Sequence, residues 1–175
     1  MKKSHEAHRS RSKRILSFFI TTVSSSRFAK MRDGSTYSDE SGDLAERLIR
    51  EKSHKVLSRS LIADDPRMLR SAVNGFLRSR ADVLVMTGGT GVSPTDVTVE
   101  TVFPFFEKEL VGFGELLRSL SFKRVGSAAM MTRSTAGTAR GKLILCLPGS
   151  PDGVETALQN FMSEFPHVIA VARGT

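Results

Sequence analysis

The chain has few of the side chains that carry covalent, metal-binding or base-stacking chemistry. It contains one cysteine, one tyrosine and no tryptophan among 175 residues. A single cysteine excludes an internal disulfide, and Cys146 lies in the apolar run 143–147, where a buried and inert thiol is expected. The four histidines form no Cys/His cluster with zinc spacing. The scarcity of tyrosine and tryptophan also argues against reading single-stranded nucleic acid by stacking.

Long apolar runs are also missing. No run approaches the roughly 20 residues of a membrane-spanning helix. The longest candidate, residues 15–23, is interrupted by Ser17, Thr21 and Thr22. Basic residues precede it, but charged and polar chain follows without a small-residue cleavage site, which argues against a signal peptide. The sequence therefore predicts a cytoplasmic protein without a membrane segment.

Positive charge is plentiful and concentrated at one end. The net charge is +8, and residues 1–14, with six basic residues and one acidic residue, contribute +5 of it. Because such tails are commonly solubilising leaders, we predict a flexible basic leader over residues 1–13 and a single domain over residues 14–175. The alternative is a nucleic-acid-binding protein that uses this leader, for which salt-sensitive binding would disappear when residues 1–14 are removed. Nucleic acid is the less favoured partner.

Apolar runs alternate with amphipathic segments along the rest of the chain. Strands are predicted over residues 14–23, 56–62, 81–86 and 142–147. Helices are predicted over residues 42–53, from 66 onward, and over 98–106, 112–120 and 152–165, with Asp65 and Thr98 as caps. Residues 24–41 are interpreted as a loop and residues 125–131 as an extended segment near the sheet edge. This alternation predicts an α/β fold, a sheet with helices on both faces.

The most informative stretch is a glycine-rich turn after the third predicted strand. Its glycines are Gly88, Gly89 and Gly91, and its hydroxyls and acid are Thr87, Thr90, Ser93, Thr95 and Asp96. Glycines let backbone N–H groups converge on an anion, and a helix N-terminus adds positive potential. The spacing is neither a Walker A loop nor a dinucleotide fingerprint. A tight turn without a ligand is the simpler alternative.

The carboxyl ends of the predicted strands should meet at one edge, where open α/β sheets bind ligands. The turns there would bring together Ser24, Ser25, Ser26, Arg27, Asp64, Asp65, Asp96, the glycine turn and residues 148–151. Such a mixture suits a phosphorylated ligand with Mg²⁺, which takes one or two carboxylates and leaves its other positions to phosphate and water. Asp65 is better explained as a helix cap, and Asp64 and Asp96 have simpler alternatives as turn and helix-dipole residues.

Several ordered motifs resemble the MoaB/Mog family of molybdenum cofactor biosynthesis, with archaeal-type MoaB proteins nearest in pattern. They are VSSSR at 23–27, YSDESG at 37–42, TGGTG and SPTDVT within 87–98, GFGE at 112–115 and LPGSP at 147–151. The resemblance spans roughly residues 14–173. It implies a three-layer α/β/α domain with a mostly parallel sheet, assembled as a homotrimer or a dimer of trimers.

The resemblance also implies an activity. Active members are molybdopterin adenylyltransferases, which transfer AMP from Mg-ATP to the terminal phosphate of molybdopterin and release pyrophosphate. The product would pass to an insertase that adds molybdate or tungstate. A non-catalytic molybdopterin carrier of the same fold is one alternative. Another is a related domain from insertases or from relatives of nicotinamide-nucleotide amidase.

The same resemblance assigns residues to these roles. It implies that Asp64 and Asp96 are the catalytic acids and the Mg²⁺ ligands. The implied nucleotide- and phosphate-binding residues are Ser24, Ser26, Arg27, Thr87, Gly88, Gly89, Thr90, Gly91, Ser93, Pro148, Gly149 and Ser150. The implied pterin-binding residues are Glu115, Ser127 and Arg133. Many relatives have arginine just before the second acid, where this chain has Thr95. The loss of that charge would either weaken phosphate binding or shift it to Arg27 or Arg133.

Overall fold

A computed structural model describes residues 14–175, and the predicted leader over residues 1–13 lies outside this range. Its strands are β1 (Ser17–Val23), β2 (Lys55–Ile62), β3 (Val83–Thr87), β4 (Lys108–Glu109), β5 (Thr135–Ala139) and β6 (Lys142–Leu147). They form one sheet in the order β2-β1-β3-β6-β5-β4. Strands β2, β1, β3 and β6 are mutually parallel, and β5 is antiparallel to both of its neighbours. The predicted mostly parallel sheet is confirmed.

Seven α-helices in the described range cover the sheet. They are α1 (Ser25–Asp33), α2 (Glu40–Glu51), α3 (Pro66–Arg78), α4 (Thr98–Val102), α5 (Val111–Val125), α6 (Pro151–Phe161) and α7 (Phe165–Ala172). Short 3₁₀ helices occupy Phe103–Phe105, Gly126–Met131 and Met162–Glu164. None of the helices in residues 14–175 is long and apolar enough to cross a membrane.

Strand β3 shows why the fold has three layers. Val83 and Val85 belong to a core with residues of α2, α5, α6 and α7 on one face. Leu84 and Met86 belong to a second core with α3 on the other face. A parallel strand buried on both faces needs apolar side chains at consecutive positions, which accounts for the unbroken apolar run over residues 83–86. The predicted α/β/α arrangement is therefore confirmed.

Cys146 lies in the second core and is fully buried. Desolvation raises the pKa of its thiol to about 12. A thiol in this state contains almost no thiolate at neutral pH, so the prediction of an inert cysteine is confirmed.

Three local predictions are wrong. Residues 24–41 are not a loop, because they contain α1 and the start of α2. Residues 126–131 form a 3₁₀ helix instead of an extended segment. Thr98 is the first residue of α4 and not its cap; the cap position is Val97, whose side chain makes no capping hydrogen bond. Strands β4 and β5 and helix α7 have no counterpart among the predicted elements. Asp65, in contrast, caps α3 as predicted, accepting from the N–H groups of Arg67 and Met68.

Candidate functional site

A cleft of about 750 Å³ lies at the carboxyl ends of the four parallel strands. The chain leaves β1 toward β2 and leaves β3 toward the opposite half of the sheet. The cleft lies where these two connections diverge, which is the position at which open α/β sheets bind ligands. The predicted gathering of the strand-end turns along one edge is confirmed.

The cleft brings most of the predicted site residues together. Its walls include Ser24, Ser26, Arg27, Asp64, Gly88, Gly89, Thr90, Gly91, Asp96, Pro148, Gly149 and Ser150. Ser25 and Thr95 also line it. Sequence reasoning missed three further lining residues, Ala128, Met131 and Thr132. They lie in or next to the 3₁₀ helix, and no signal revealed them once that segment was interpreted as extended.

The glycine loop offers unpaired hydrogen-bond donors. Among the described residues, the N–H groups of Gly89, Thr90 and Gly91 donate to no acceptor. Gly89 adopts a positive φ of 64°, a conformation that favours glycine. Helices α1 and α6 begin at the cleft, with Ser24 and Ser150 as their N-caps. Two helix N-termini and free N–H groups make an environment suited to an anion.

Arg27 supplies the positive side-chain charge of this site. Within the described part of the chain, it is the one basic residue among those that line the cleft. It lies in the first turn of α1, where its own backbone N–H donates to Ser24 Oγ. A planar guanidinium can donate two parallel hydrogen bonds to two oxygens of a phosphate group, and the free N–H groups of the glycine loop line the same cleft.

Two threonines fasten the glycine loop to the turn after β6. Thr87 Oγ1 donates to Pro148 O at 2.7 Å, and Thr90 Oγ1 donates to Leu147 O at 3.3 Å. The Gly88 N–H also donates to Leu147 O, at 3.1 Å. Thr87 is fully buried and does not line the cleft. These bonds fix the distance between the two loops, so the walls of the cleft are preformed.

Arg133 holds the same loop from outside the cleft. Its guanidinium donates to Gly91 O at 2.7 Å and to Asp96 O at 3.0 Å, and it pairs with Glu100. Hydrogen bonding to Arg133 lowers the pKa of the Glu100 carboxyl. Arg133 thus stabilises the backbone conformation of the segment that carries Asp96.

The remaining predicted residues lie outside the cleft walls. Glu115 is exposed on α5 and Ser127 is exposed in the 3₁₀ helix. Ser93 also lies outside the walls, but its N–H donates to Asp96 Oδ2 at 3.0 Å. The pterin-binding roles of Glu115, Ser127 and Arg133 stay predictions.

Asp64 and Asp96 face the same space and repel each other. Desolvation, followed by the negative charge of Asp96, raises the pKa of Asp64 from its ordinary value of 3.8 to about 6. A divalent cation between the two would relieve this repulsion, so the residues fit Mg²⁺. No cluster of three or more potential ligands from His, Cys, Asp and Glu occurs in residues 14–175. Phosphate and water would therefore have to complete the coordination shell of Mg²⁺.

The raised pKa of Asp64 predicts a pH-dependent stability difference between the wild type and Asp64→Asn. Between pH 3.8 and about 6, the unfolded chain loses the Asp64 proton while the folded chain keeps it. Stability that Asp64 contributes below pH 3.8 is therefore lost as the pH rises to about 6. We expect Asp64→Asn to gain stability relative to the wild type across this window, with a constant difference above it. Urea midpoints of both proteins from pH 4 to pH 8 measure this, and a difference between the midpoints that stays the same at every pH would contradict it.

The fold and the cleft together define a class, an α/β protein with a cleft at the ends of its parallel strands whose donors suit a phosphate-bearing ligand. Residues 19–167 match the family model of the probable molybdopterin binding domain. The chain therefore belongs to this family, and its resemblance to MoaB/Mog proteins is confirmed.

Individual relatives agree with this assignment. A probable molybdopterin adenylyltransferase of Methanocaldococcus jannaschii is 35% identical over 159 residues, covering 90% of this chain and 94% of the relative. The molybdopterin adenylyltransferase of Pyrococcus furiosus is 35% identical over 172 residues, covering 96% and 98%. The crystal structure of the tungsten cofactor synthesizing protein MoaB from the same organism superposes with a TM-score of 0.80, at 34% identity and coverage of 91% and 98%.

Proposed function

We propose that this chain is an enzyme of molybdenum or tungsten cofactor biosynthesis that transfers AMP from Mg-ATP to the terminal phosphate of molybdopterin. One observation carries this proposal: two carboxylates and the free N–H groups of a glycine loop line the same cleft. The probable molybdopterin adenylyltransferase of M. jannaschii and the molybdopterin adenylyltransferase of P. furiosus, each matched over at least 90% of this chain, support it.

The proposed reaction needs positioning and charge neutralisation, not a covalent nucleophile. A terminal phosphate oxygen of molybdopterin attacks the α-phosphorus of ATP in line. One P–O bond forms there, while the bond from the α-phosphorus to the pyrophosphate oxygen breaks. The N–H groups of Gly89, Thr90 and Gly91 would hold phosphate oxygens, and Arg27 would offset their charge. Mg²⁺ held by Asp64 and Asp96 would supply further charge neutralisation.

Thr95 sets the charge of this particular cleft. The Thr95 hydroxyl lies 2.9 Å from Ser93 Oγ, so a neutral hydroxyl and no charged side chain stands directly before Asp96. With threonine there, the positive charge comes from the α1 side of the cleft, through Arg27. We therefore propose that Arg27 makes the largest side-chain contribution to neutralising the phosphate charge of ATP.

Assembly and product transfer complete the proposal. We propose a homotrimer or a dimer of trimers in the cytoplasm that hands its product to a molybdate or tungstate insertase. Several apolar side chains are more than half exposed on α5 and the 3₁₀ helix after it: Leu116, Phe122, Val125, Met130 and Met131. Exposed apolar groups clustered along consecutive elements support a self-association surface there.

The first experiment is an AMP-transfer assay on the purified protein. With Mg-ATP and molybdopterin, we expect pyrophosphate and adenylylated molybdopterin to appear in equal amounts. The control replaces ATP with its α,β-methylene analogue, in which the scissile oxygen is absent, and should give neither product. Tight molybdopterin binding without pyrophosphate from ATP would contradict catalysis and identify a carrier.

A further inference from the structure

The motif YSDESG at residues 37–42 contains a buried serine that bonds to the wall of the cleft from outside. None of residues 37–42, all within the described range, lines the cleft itself. Ser41, the second residue of α2, is fully buried, and its hydroxyl donates to Gly149 O at 2.7 Å, across 108 positions of the chain. Gly149 lies in the cleft wall. The motif therefore acts on the cleft through a hydrogen bond to its backbone.

The start of α2 is held firmly, which fixes the position of Ser41. Asp39 caps this helix by accepting from the Gly42 N–H at 3.1 Å. The same carboxylate accepts from Thr22 Oγ1 at 2.8 Å and from the Arg59 guanidinium at 2.8 Å. One side chain is thus bonded to α2, β1 and β2, so the first turn of the helix has little freedom. The Ser41 hydroxyl therefore has a fixed direction.

Ser41 completes a set of three hydroxyl bonds to consecutive carbonyl groups of the turn after β6. The bonds run from Thr90 Oγ1 to Leu147 O, from Thr87 Oγ1 to Pro148 O and from Ser41 Oγ to Gly149 O. All three hydroxyl-bearing residues are buried. Two of the hydroxyls come from the glycine loop and the third comes from α2, so the turn is fixed from two sides.

These bonds decide which way the last peptide of the turn faces. In a trans peptide the C=O and the N–H that follows it point in opposite directions, and the described residues contain no cis peptide bond. Because Gly149 O is turned toward the Ser41 hydroxyl, the Ser150 N–H points away from α2. Ser150 lines the cleft, and its N–H has no acceptor within residues 14–175. This N–H is therefore free to bind an oxygen of a ligand at the point where α6 begins.

We propose that Ser41 is a positioning residue: through Gly149 O it holds the Ser150 N–H toward the cleft, where that N–H binds an oxygen of the ATP phosphates. The catalytic part of this assignment rests on the proposed function, whereas the binding of a phosphate oxygen does not. Glycine permits many backbone conformations, so without the Ser41 hydroxyl the peptide between Gly149 and Ser150 turns more freely. Its N–H is then less often in place, and a misplacement of about 1 Å can cost about 100-fold in rate.

The first test is a ¹H–¹⁵N correlation spectrum of the whole protein during a titration with Mg-ATP. In the wild type the Ser150 amide proton should shift downfield as it bonds to a phosphate oxygen, and in Ser41→Ala this shift should shrink. Thr22→Val is the matched control, because it also removes a buried hydroxyl bond at the start of α2, and it should keep the wild-type shift.

Two outcomes of this titration would overturn the proposal. One is a Ser150 signal that does not move in the wild type, and the other is an equal shift in the wild type and Ser41→Ala. The titration needs no turnover, so it separates the two proposals. A Ser150 shift that depends on Ser41, without AMP transfer in the wild type, would contradict the proposed function and leave the role of Ser41 in phosphate binding in place.

The second test measures AMP transfer by the same variants. We expect Ser41→Ala to lower kcat/KM for Mg-ATP by about 10–100-fold, with little change in KM for molybdopterin, and Ser41→Thr to restore most of the rate. If Ser41→Ala folds poorly, Ser41→Cys fills the space with a weak donor and gives the same comparison. Equal kcat/KM for Ser41→Ala and the wild type would overturn the positioning role. Equal losses in Ser41→Ala and Thr22→Val would also overturn it, since general destabilisation would then account for both.

Discussion

Replacing either acid of the cleft with asparagine is expected to lower the rate of AMP transfer by roughly 10²–10³-fold. Asparagine preserves the shape of the side chain and removes its negative charge, so Asp64→Asn and Asp96→Asn delete the groups that would bind the cation. The fold should survive, because Asp64 is destabilised in its charged form by burial and by Asp96. Single-turnover measurements of pyrophosphate release under saturating Mg-ATP test both variants.

Asp65→Asn is the matched control for this experiment. Asp65 is the next residue in the chain, lies outside the cleft walls and accepts two N–H bonds at the start of α3. Asparagine caps helices as well as aspartate does, so this variant should keep both stability and rate. Wild-type rates in Asp64→Asn and Asp96→Asn would show that neither carboxylate takes part in the chemistry.

The largest effect on stability is expected from Gly88→Ala. Gly88 has a φ of 110°, and an added Cβ would overlap the backbone oxygen of Val23 at the end of β1. A backbone atom inside the sheet cannot move aside as a flexible side chain can. Backbone strain and overpacking together should lower the free energy of unfolding by roughly 2–6 kcal/mol. Urea unfolding with linear extrapolation measures this change.

Gly75→Ala is the matched control, and for this variant we expect the stability to rise instead of fall. Gly75 is exposed within α3, and an added Cβ there meets no atom within 4 Å. Alanine should raise the stability by about 0.5–1 kcal/mol, because glycine loses more backbone entropy in a helix. Equal stabilities of Gly88→Ala and the wild type would mean that the glycine loop does not approach β1 as closely as described.

Helix α1 shows where sequence patterns failed. None of its residues is buried, so the helix has no apolar stripe, which is the main signal for a helix. Its caps were the available signal, since Ser24 accepts from Arg27 N and Gly34 has a φ of 79°. Strand β5 was missed for a related reason. Its sequence, TAGTA, is small rather than apolar, and Gly137 leaves room for the ring of Phe106 against the sheet.

The sequence by itself determined the parallel core and the composition of the cleft. Strands β3 and β6 are apolar at nearly every position, and glycine, hydroxyl and acidic residues follow directly at their ends or in the turns beside them. Parallel strands bring their carboxyl ends to one edge, so Asp64, Gly88 and Pro148 had to meet there.

Only the tertiary structure decided which of these residues face the ligand space. It assigned Arg133 to the backbone of the glycine loop, added Ala128 and Met131 to the cleft wall, and brought Asp64 and Thr98 together against Gly89. These outcomes depend on how helices pack over the sheet and on contacts between residues far apart in the chain. Local sequence patterns predict which face of a helix or strand is buried. Which residues of two separate elements meet across the cleft is decided by tertiary packing.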